Sequence, residues 1–296
     1  PTRRSSDLDE ATHRAALSHA DAAVRRNATR ALALQKEIFQ ADQNGGAART
    51  DRSRYLGAAA ALALAEPVAE AYHKVTLTEP LQKQLKLKKA KMEEALKAYA
   101  VATDLGVADV TTEASYRVAT IYRDFGKALL ASERPKKLSK SEREQYNVLL
   151  EEQAFPFEEK ATEIHALNAQ RAANGIYDQW VKSSFETLRE LRPARYAKSE
   201  RLEGKGAGQA ASLNQQGVEQ RQAGQFDKAR QTYENAMAAD ASYTPAILNL
   251  GILQDLYLGD SKQALVLYER YLALTPGGDA TVAKWVADLK NRKAKA

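Results

Sequence analysis

The stretch GQFDKARQTYENAMAAD, residues 224–240, is followed by a divergent second copy, GDSKQALVLYERYLALTPG, residues 259–277. Three pairs of identical residues are each 35 positions apart: Gly224 and Gly259, Ala229 and Ala264, and Tyr233 and Tyr268. A fourth pair, Gly217 and Gly251, is 34 positions apart. This period is typical of a two-helix repeat, so the sequence predicts two stacked helix pairs.

The shared letters are small or aromatic, and each type has a packing role. Small residues such as Gly217 and Ala229 are expected where two helices approach closely, because a larger side chain would hold the backbones apart. Large residues such as Tyr233 fill the space that remains, and Pro276 ends the second copy because proline cannot continue a helix. This order over residues 210–277 resembles the tetratricopeptide repeat (TPR) family.

The resemblance implies an all-α fold, a TPR-like α-solenoid of antiparallel helix pairs that ends in a capping helix. Three positions depart from the family pattern: Gln216 replaces an apolar residue, Ala241 a proline, and Tyr271 a small residue. The final segment, DATVAKWVADLKNRKAKA, has four apolar side chains at helical spacing. As the inward face of a capping helix we predict Val282, Trp285, Val286 and Leu289.

The same pattern of small and aromatic residues extends upstream in a weaker form. In one upstream segment, two alanines and a tyrosine have the same mutual spacing as in the repeats: Ala95, Tyr99 and Ala102. We therefore predict a helical, degenerate TPR-like domain over residues 9–191. Residues 192–209 contain one proline and three glycines, and they are predicted to be a linker that buries little surface. Two TPR units and the capping helix follow over residues 210–296.

Capping residues predict where two upstream helices begin. Thr78 is expected to cap a helix that carries Pro80 at an early position. Ser139 or Ser141 is expected to cap the next long helix, after a charged connection. Pro67 is expected to kink the alanine-rich helix in which it lies.

The first eight residues, PTRRSSDL, match the translation of a sequencing adaptor, and the chain has no initial methionine. We expect residues 1–8 to be an artefact and the natural part of this fragment to begin near Asp9. A signal peptide or a lipid-attachment cysteine upstream is left open.

A second resemblance covers the middle of the chain. It is carried by IYRDFGKALLASERPKKLSKSEREQYNVLLEEQAFPFEEKATEIHALNAQR, residues 121–171, and GIYDQWVKSSFETLRELRPARY, residues 175–196. Both segments are similar to the C-terminal part of bacterial TPR proteins of TonB- or Tol-like systems, which have relatives in gliding-motility machinery. The resemblance implies a component of the cell envelope, periplasmic or associated with the outer membrane.

The composition favours neither nucleic acid nor a membrane span. The net charge is +6, but 44 basic residues are mixed with 38 acidic ones, which indicates a solvated surface of both signs. The most apolar run, residues 56–65, is far shorter than the roughly 20 residues that a membrane-spanning helix needs. We expect no nucleic-acid partner and no transmembrane segment in this fragment.

No group of residues in the sequence predicts catalysis, phosphate binding or metal binding. The chain has no cysteine, and Ser183 and Ser184 have no base nearby in the sequence. The glycine-rich EGKGAG, residues 203–208, lacks the order of a phosphate loop. The four histidines are scattered without metal-site spacing and are expected to be surface or partly packed residues: His13, His19, His73 and His165. We predict no catalytic residue, cofactor or metal, and a protein that is not an enzyme.

The pattern indicates a protein partner instead. In the TPR pattern, exposed positions on the first helix of each repeat line a concave groove. In this chain they map onto seven residues: Asn214, Val218, Arg221, Leu248, Asn249, Ile252 and Asp255. An asparagine can hold a peptide backbone through both its acceptor and its donors, and the apolar positions would add contact area. The alternative is that these residues pack against the upstream helices.

The function predicted on these grounds is a non-enzymatic scaffold or adaptor that binds envelope proteins. Two other classes stay open from the residues alone. One is an accessory helical-repeat domain of a larger enzyme, and the other is a nucleic-acid-associated repeat protein, whose binding would fall steeply with salt.

Overall fold

The computed structural model describes residues 3–202 and 208–295, and the side chains of residues 22–24, 26–202 and 208–292. Residues 1 and 2 of the predicted adaptor-derived stretch and residues 203–207 of the predicted linker lie outside the described residues. Over the described ranges the chain forms α-helices and short 3₁₀ turns with no strand. The predicted all-α fold is confirmed.

The helices of the described residues follow one another with short connections. They are α1 (Arg3–Gln43), α2 (Asp51–His73), α3 (Leu81–Thr103), α4 (Ala108–Leu130), α5 (Lys140–Gln170), α6 (Gln179–Leu191), α7 (Pro193–Tyr196), α8 (Gln209–Gln222), α9 (Phe226–Ala239), α10 (Thr244–Leu256), α11 (Ser261–Leu274) and α12 (Ala280–Lys295).

The chain divides into two compact units. The first comprises Pro1–Ala114 and Lys127–Leu150, and the second Ser115–Gly126 and Glu151–Ala296. Helices α4 and α5 therefore contribute residues to both. The predicted linker at residues 192–209 falls inside the second unit.

In the first unit, α1 packs on α2 and α2 packs on α3. The turn between α1 and α2 is held by Asp42, which is buried and accepts hydrogen bonds from Arg49 Nε at 3.0 Å and from Ser53 Oγ at 3.2 Å. The hydrogen bond from Arg49 is the main cause that lowers the pKa of Asp42. Thr50 caps α2 in a capping box with Ser53, so one short stretch fixes both helices.

Helices α2 and α3 pack through small side chains and tyrosines. Ala95, Tyr99 and Ala102 are all buried in α3, as expected of packing positions. Lys88, also in α3, is 5% exposed and donates from Nζ to the carbonyl oxygen of Val75 at 2.8 Å, just beyond the end of α2. An ammonium group at this end satisfies carbonyl groups that the helix leaves unpaired.

Of the two helix caps predicted from the sequence, one is absent and the other is present. Thr78 does not cap α3, because that helix begins at Leu81 and its cap position is taken by Pro80, whose side chain makes no capping bond. Ser139 does cap α5: Ser139 Oγ accepts from the Glu142 amide at 3.3 Å, and the Glu142 carboxylate accepts from the Ser139 amide at 2.8 Å. Pro67 lies inside α2, which continues through it.

The second unit contains the two predicted repeats, α8 with α9 and α10 with α11, and α10 also packs on α8 and α9. A Cβ atom added to Gly217 would lie 2.5 Å from Tyr233 Cε1, and one added to Gly251 would lie 2.7 Å from Tyr268 Cε1. In each repeat a glycine therefore admits a tyrosine ring from the partner helix. The register predicted from the 35-residue spacing is confirmed by this matched contact.

The turn within each repeat is also repeated. Gly224 and Gly259 both have a φ of +73°, a backbone conformation that favours glycine. Ala229 and Ala264, five residues after these glycines, are fully buried. The shared glycines and alanines of the two copies thus occupy positions where a larger side chain is excluded, by backbone conformation or by packing.

Helix α12 packs on α11 with its apolar face inward. Its four predicted inward residues are all at most 9% exposed: Val282, Trp285, Val286 and Leu289. Asp279 accepts hydrogen bonds from the amides of Thr281 and Val282 at 3.0 and 3.2 Å, and these bonds start the helix.

The main hydrophobic core of the repeats is shared with α6. One cluster of buried side chains joins Val181, Phe185 and Leu188 of α6 to residues of α9, α10 and α11. The Phe185 ring lies 4.8 Å from that of Tyr257, which follows α10, and 5.1 Å separates Tyr257 from Phe226 at the start of α9. Residues upstream of the predicted linker are therefore part of the repeat core.

Candidate functional site

The seven groove residues lie on α8 and α10, as the register requires, but most of them are not exposed. We define the groove as the face formed by Asn214, Val218, Arg221, Leu248, Asn249, Ile252 and Asp255. Apart from Arg221, each is at most 6% exposed, so the expectation of an open surface is wrong. There are two reasons: the apolar members belong to the hydrophobic core that the repeats share with α6, and a segment of the same chain covers the polar members.

The covering segment is residues 197–202, AKSERL, which we call the strap. It has no helical or strand structure and links α7 to the residues before α8. Four groove residues form hydrogen bonds or ion pairs with it: Asn214, Arg221, Asn249 and Asp255. Val218, Leu248 and Ile252 belong to the hydrophobic core, and Val218 and Ile252 also line a cavity beside the strap.

Two asparagines hold the backbone of the strap. Asn249 Oδ1 accepts from the amide of Arg201 at 2.8 Å, and Asn249 Nδ2 donates to the Arg201 carbonyl oxygen at 2.7 Å. Asn214 Nδ2 donates to the same carbonyl oxygen at 2.9 Å. Asn249 Nδ2 also lies 2.9 Å from Asn214 Oδ1, and this bond orients the pair. Because only backbone atoms of the strap are bound, this part of the groove does not depend on the strap's side chains.

The Lys198 side chain enters the groove and forms an ion pair with Asp255. Both side chains are fully buried, and a second cation, Arg292 of α12, lies 3.2 Å from the same carboxylate. The Lys198 ammonium also faces the ring of Trp285 at 5.0 Å. Burial lowers the pKa of Lys198, and the Asp255 carboxylate opposes that shift. Loss of Lys198 would leave the buried carboxylate with Arg292 as its remaining cation, and loss of Asp255 would leave two buried or partly buried cations without their carboxylate.

The Glu200 side chain forms the second charged contact. It accepts a hydrogen bond from Arg221 Nε at 3.1 Å and a second, closer one from the same guanidinium. Tyr233 donates from its hydroxyl to Glu200 Oε1 at 3.0 Å. Burial raises the pKa of Tyr233, and the neighbouring Glu200 charge raises it further. The tyrosine therefore stays protonated as a donor, and Glu200 is held by groups from both helices of the first repeat.

The last two strap residues, Arg201 and Leu202, are also held by residues outside the groove. Arg201 directs its guanidinium to Asp279 at 2.7 Å, and 52% of its side chain is exposed. Tyr243 donates to the Leu202 carbonyl oxygen at 3.2 Å. Lys198 and Glu200 therefore enter the groove, while Ser199 and Arg201 are exposed.

The strap does not fill the groove completely. A cavity of about 280 Å³ remains between them, lined on the strap side by Ser199, Glu200 and Leu202 and on the groove side by Val218 and Ile252 among others. Its walls combine apolar and charged groups, so the space suits a side chain with an aliphatic stem.

The sequence did not predict the strap. Residues 192–209 were interpreted as a linker that buries little surface, yet Tyr196 and Lys198 are 6% and 4% exposed. The only signal in the sequence is a pair of opposite charges two residues apart, Lys198 and Glu200, and such pairs are common on exposed surfaces. Their partners lie 57 and 21 residues further along the chain.

One buried polar cluster was also missed. His165 is 1% exposed, rather than a surface or partly packed residue, and its Nδ1 lies 3.3 Å from Ser184 Oγ. Asn168 Nδ2 donates to the same hydroxyl at 3.0 Å. All three side chains are buried, so Ser184 has no route to a substrate, and the cluster cross-links α5 to α6.

Within the described ranges, no cluster of three or more histidine and carboxylate side chains is arranged to hold a metal ion. In the same part of the chain, no helix has the length and apolar content to cross a membrane.

Comparison with known proteins adds no family name. No protein-family model matches the chain, and no curated protein sequence matches it at a significant level. What the structure supports is an all-helical fold in which consecutive helices pack as in a helical-repeat protein.

Proposed function

We propose that this protein is a non-enzymatic scaffold of the TPR type, whose C-terminal repeats bind an extended segment of a partner protein. The observation that carries the proposal is the asparagine pair, since Asn214 and Asn249 bind both backbone polar groups of Arg201. Peptide recognition commonly combines backbone hydrogen bonds for affinity with pockets for specificity, and the groove has both features.

The cellular setting is proposed on separate grounds. The similarity of residues 121–171 and 175–196 to TPR proteins of TonB- or Tol-like systems supports a place in the cell envelope, in the periplasm or at the outer membrane. In that setting the partner would be another envelope protein that presents an unstructured segment.

The test compares two asparagine variants in the source organism. Asn249→Ala removes the backbone clamp, and Asn235→Ala removes an exposed asparagine of α9 as a matched control. Each tagged protein is crosslinked in cells and captured, and the attached proteins are identified by mass spectrometry. Circular dichroism confirms that both variants keep the helical content of the wild type.

We expect the control to retain the wild-type set of partners and Asn249→Ala to lose it. Recovery of the same proteins with both variants would place binding elsewhere on the chain. Capture of nucleic acid in place of protein would replace the proposed function by the nucleic-acid alternative.

A further inference from the structure

We propose that the strap is an internal ligand of the groove, and that the partner segment is an extended peptide with a lysine followed two residues later by a glutamate. On this view the groove is closed in the free protein and opens when such a peptide replaces the strap. The inference rests on the proposed function and specifies its ligand.

The strap contacts the groove as a bound peptide would. Its backbone is held at Arg201 by two asparagines, and alternate side chains, Lys198 and Glu200, point inward. Ser199 and Arg201, between and after them, are exposed. A cavity remains beside the strap, whereas the cores of α9 and α11 are filled by tyrosine rings. The backbone of the segment therefore lies on the face formed by α8 and α10, and its one fully buried side chain, Lys198, reaches Trp285 of α12.

The charges of the groove decide which peptide can replace the strap. Without Lys198, the buried Asp255 would be paired with a single cation, Arg292. Without Glu200, the guanidinium of Arg221 would lose the carboxylate to which it donates two hydrogen bonds. A buried charge that loses its partner is strongly unfavourable. An incoming peptide restores both pairings by bringing a cation to Asp255 and a carboxylate to Arg221, two residues apart.

A tethered ligand competes strongly because it is always nearby. A segment joined to its site by a short connection acts at an effective concentration on the order of millimolar. The apparent affinity for an external peptide is then reduced by the fraction of molecules in which the groove is open. Weakening the strap without altering the groove should therefore raise the affinity for a peptide of the strap's own sequence.

The experiment measures binding of a fluorescent peptide with the sequence of residues 195–204, RYAKSERLEG, by anisotropy. Glu200→Lys places a cation against Arg221 and should open the strap while every groove residue is kept. Glu186→Lys makes the same charge change at an exposed position of α6 and is the control. We expect Glu200→Lys to bind the peptide at least about tenfold more tightly than the wild type, and Glu186→Lys to match the wild type.

A second variant covers the case in which one substitution fails to open the strap. Lys198→Ser together with Glu200→Ser removes both inward side chains, and circular dichroism checks that the helices persist. Equal affinity in the wild type, the control and both strap variants would overturn the proposal. A peptide with the lysine and glutamate exchanged, RYAESKRLEG, should bind the opened variants at least about tenfold more weakly, and equal binding would overturn the charge pattern.

This test is independent of the cellular partner. If the opened variants bind the peptide but partner capture does not depend on Asn249, the internal ligand stands and the proposed function fails. If partner capture depends on Asn249 but no variant binds the peptide more tightly, the internal ligand fails and the proposed function stands.

Discussion

At the scale of single residues, the repeat depends on the hydrogen atom that serves as the side chain of Gly251. A Cβ atom at this position would lie 2.7 Å from Cε1 of Tyr268, a ring that is fully buried in α11. No real Cβ contact is this short, so α10 and α11 would have to move apart. The gain in helix propensity from alanine, about 1 kcal/mol, is opposed by an overpacking cost of about 1–3 kcal/mol.

We therefore predict that Gly251→Ala lowers the midpoint of urea unfolding. The matched control is Gln216→Ala on the exposed side of α8, which should change the free energy of unfolding by less than about 0.5 kcal/mol. An unchanged or higher midpoint for Gly251→Ala would mean that the two helices are not in such close contact.

A second residue-scale prediction concerns His165. Burial lowers the pKa of His165 to about 4, with a smaller contribution from Arg123, whereas the pKa of a histidine in an unfolded chain is about 6.5. The unfolded state therefore binds the proton first, and stability is lost as the pH falls from about 6.5 to about 4, by roughly 3 kcal/mol in total. Unfolding midpoints measured between pH 4 and pH 8 should show this loss.

His165→Gln keeps a polar side chain within reach of Ser184 and cannot be protonated in this range, so it should flatten the profile. His73→Gln changes an exposed histidine and should leave the profile as in the wild type. If His165→Gln keeps the full pH dependence, other groups are responsible for it.

At the scale of elements, the sequence predicted what depends on periodic packing. Gly217 and Gly251 contact equivalent tyrosines because the same helix–helix contact occurs twice. A contact that occurs twice requires the same residue type at both positions, and this repetition is visible in the sequence. The strap could not be predicted in this way, since it occurs once and its hydrogen-bonding partners lie up to 78 residues away. The expected exposure of Asp255 failed for the same reason, because Lys198 of the unrecognised segment covers its carboxylate, whereas Ile252 is buried in the hydrophobic core.

The register of α11 gives a prediction at this scale. Ala264 is fully buried between helices, whereas Val266, two residues along the same helix, is 59% exposed. Ala264→Glu would place a carboxylate in a packed interface without a partner, and should reduce the free energy of unfolding by several kcal/mol, on the order of 3. Val266→Glu introduces the same side chain in the same helix and should have little effect. Similar losses in helical circular dichroism for both variants would contradict the register.

At the scale of the whole molecule, the second unit is more continuous than the sequence suggested. A linker over residues 192–209 would let the repeats fold independently of α6. Instead, the side chains of Val181 and Phe185 share one core with those of α10 and α11. The strap adds ion pairs from the middle of the supposed linker to α8 and α10. Charged residues that look like a solvated connection in the sequence thus join the two parts.

The two tryptophans of the chain allow this continuity to be measured. Trp180 lies in α6, upstream of the strap, and its ring is 5.4 Å from that of Tyr116. Trp285 lies in α12, downstream of the repeats, and is 8% exposed. Trp180→Phe leaves only the downstream reporter, and Trp285→Phe leaves only the upstream one.

If the second unit folds as one body, the upstream and the downstream tryptophan should report the same urea midpoint, because coincident transitions are the mark of two-state unfolding. In the wild type, where both tryptophans report, the fluorescence should then change in one transition. Adding Glu200→Lys to both variants removes the ion pair with Arg221, and should lower the two midpoints together. Separate transitions for the two reporters would show that residues 192–209 act as a linker after all, and that the contacts of α6 with the repeats are too weak to couple them.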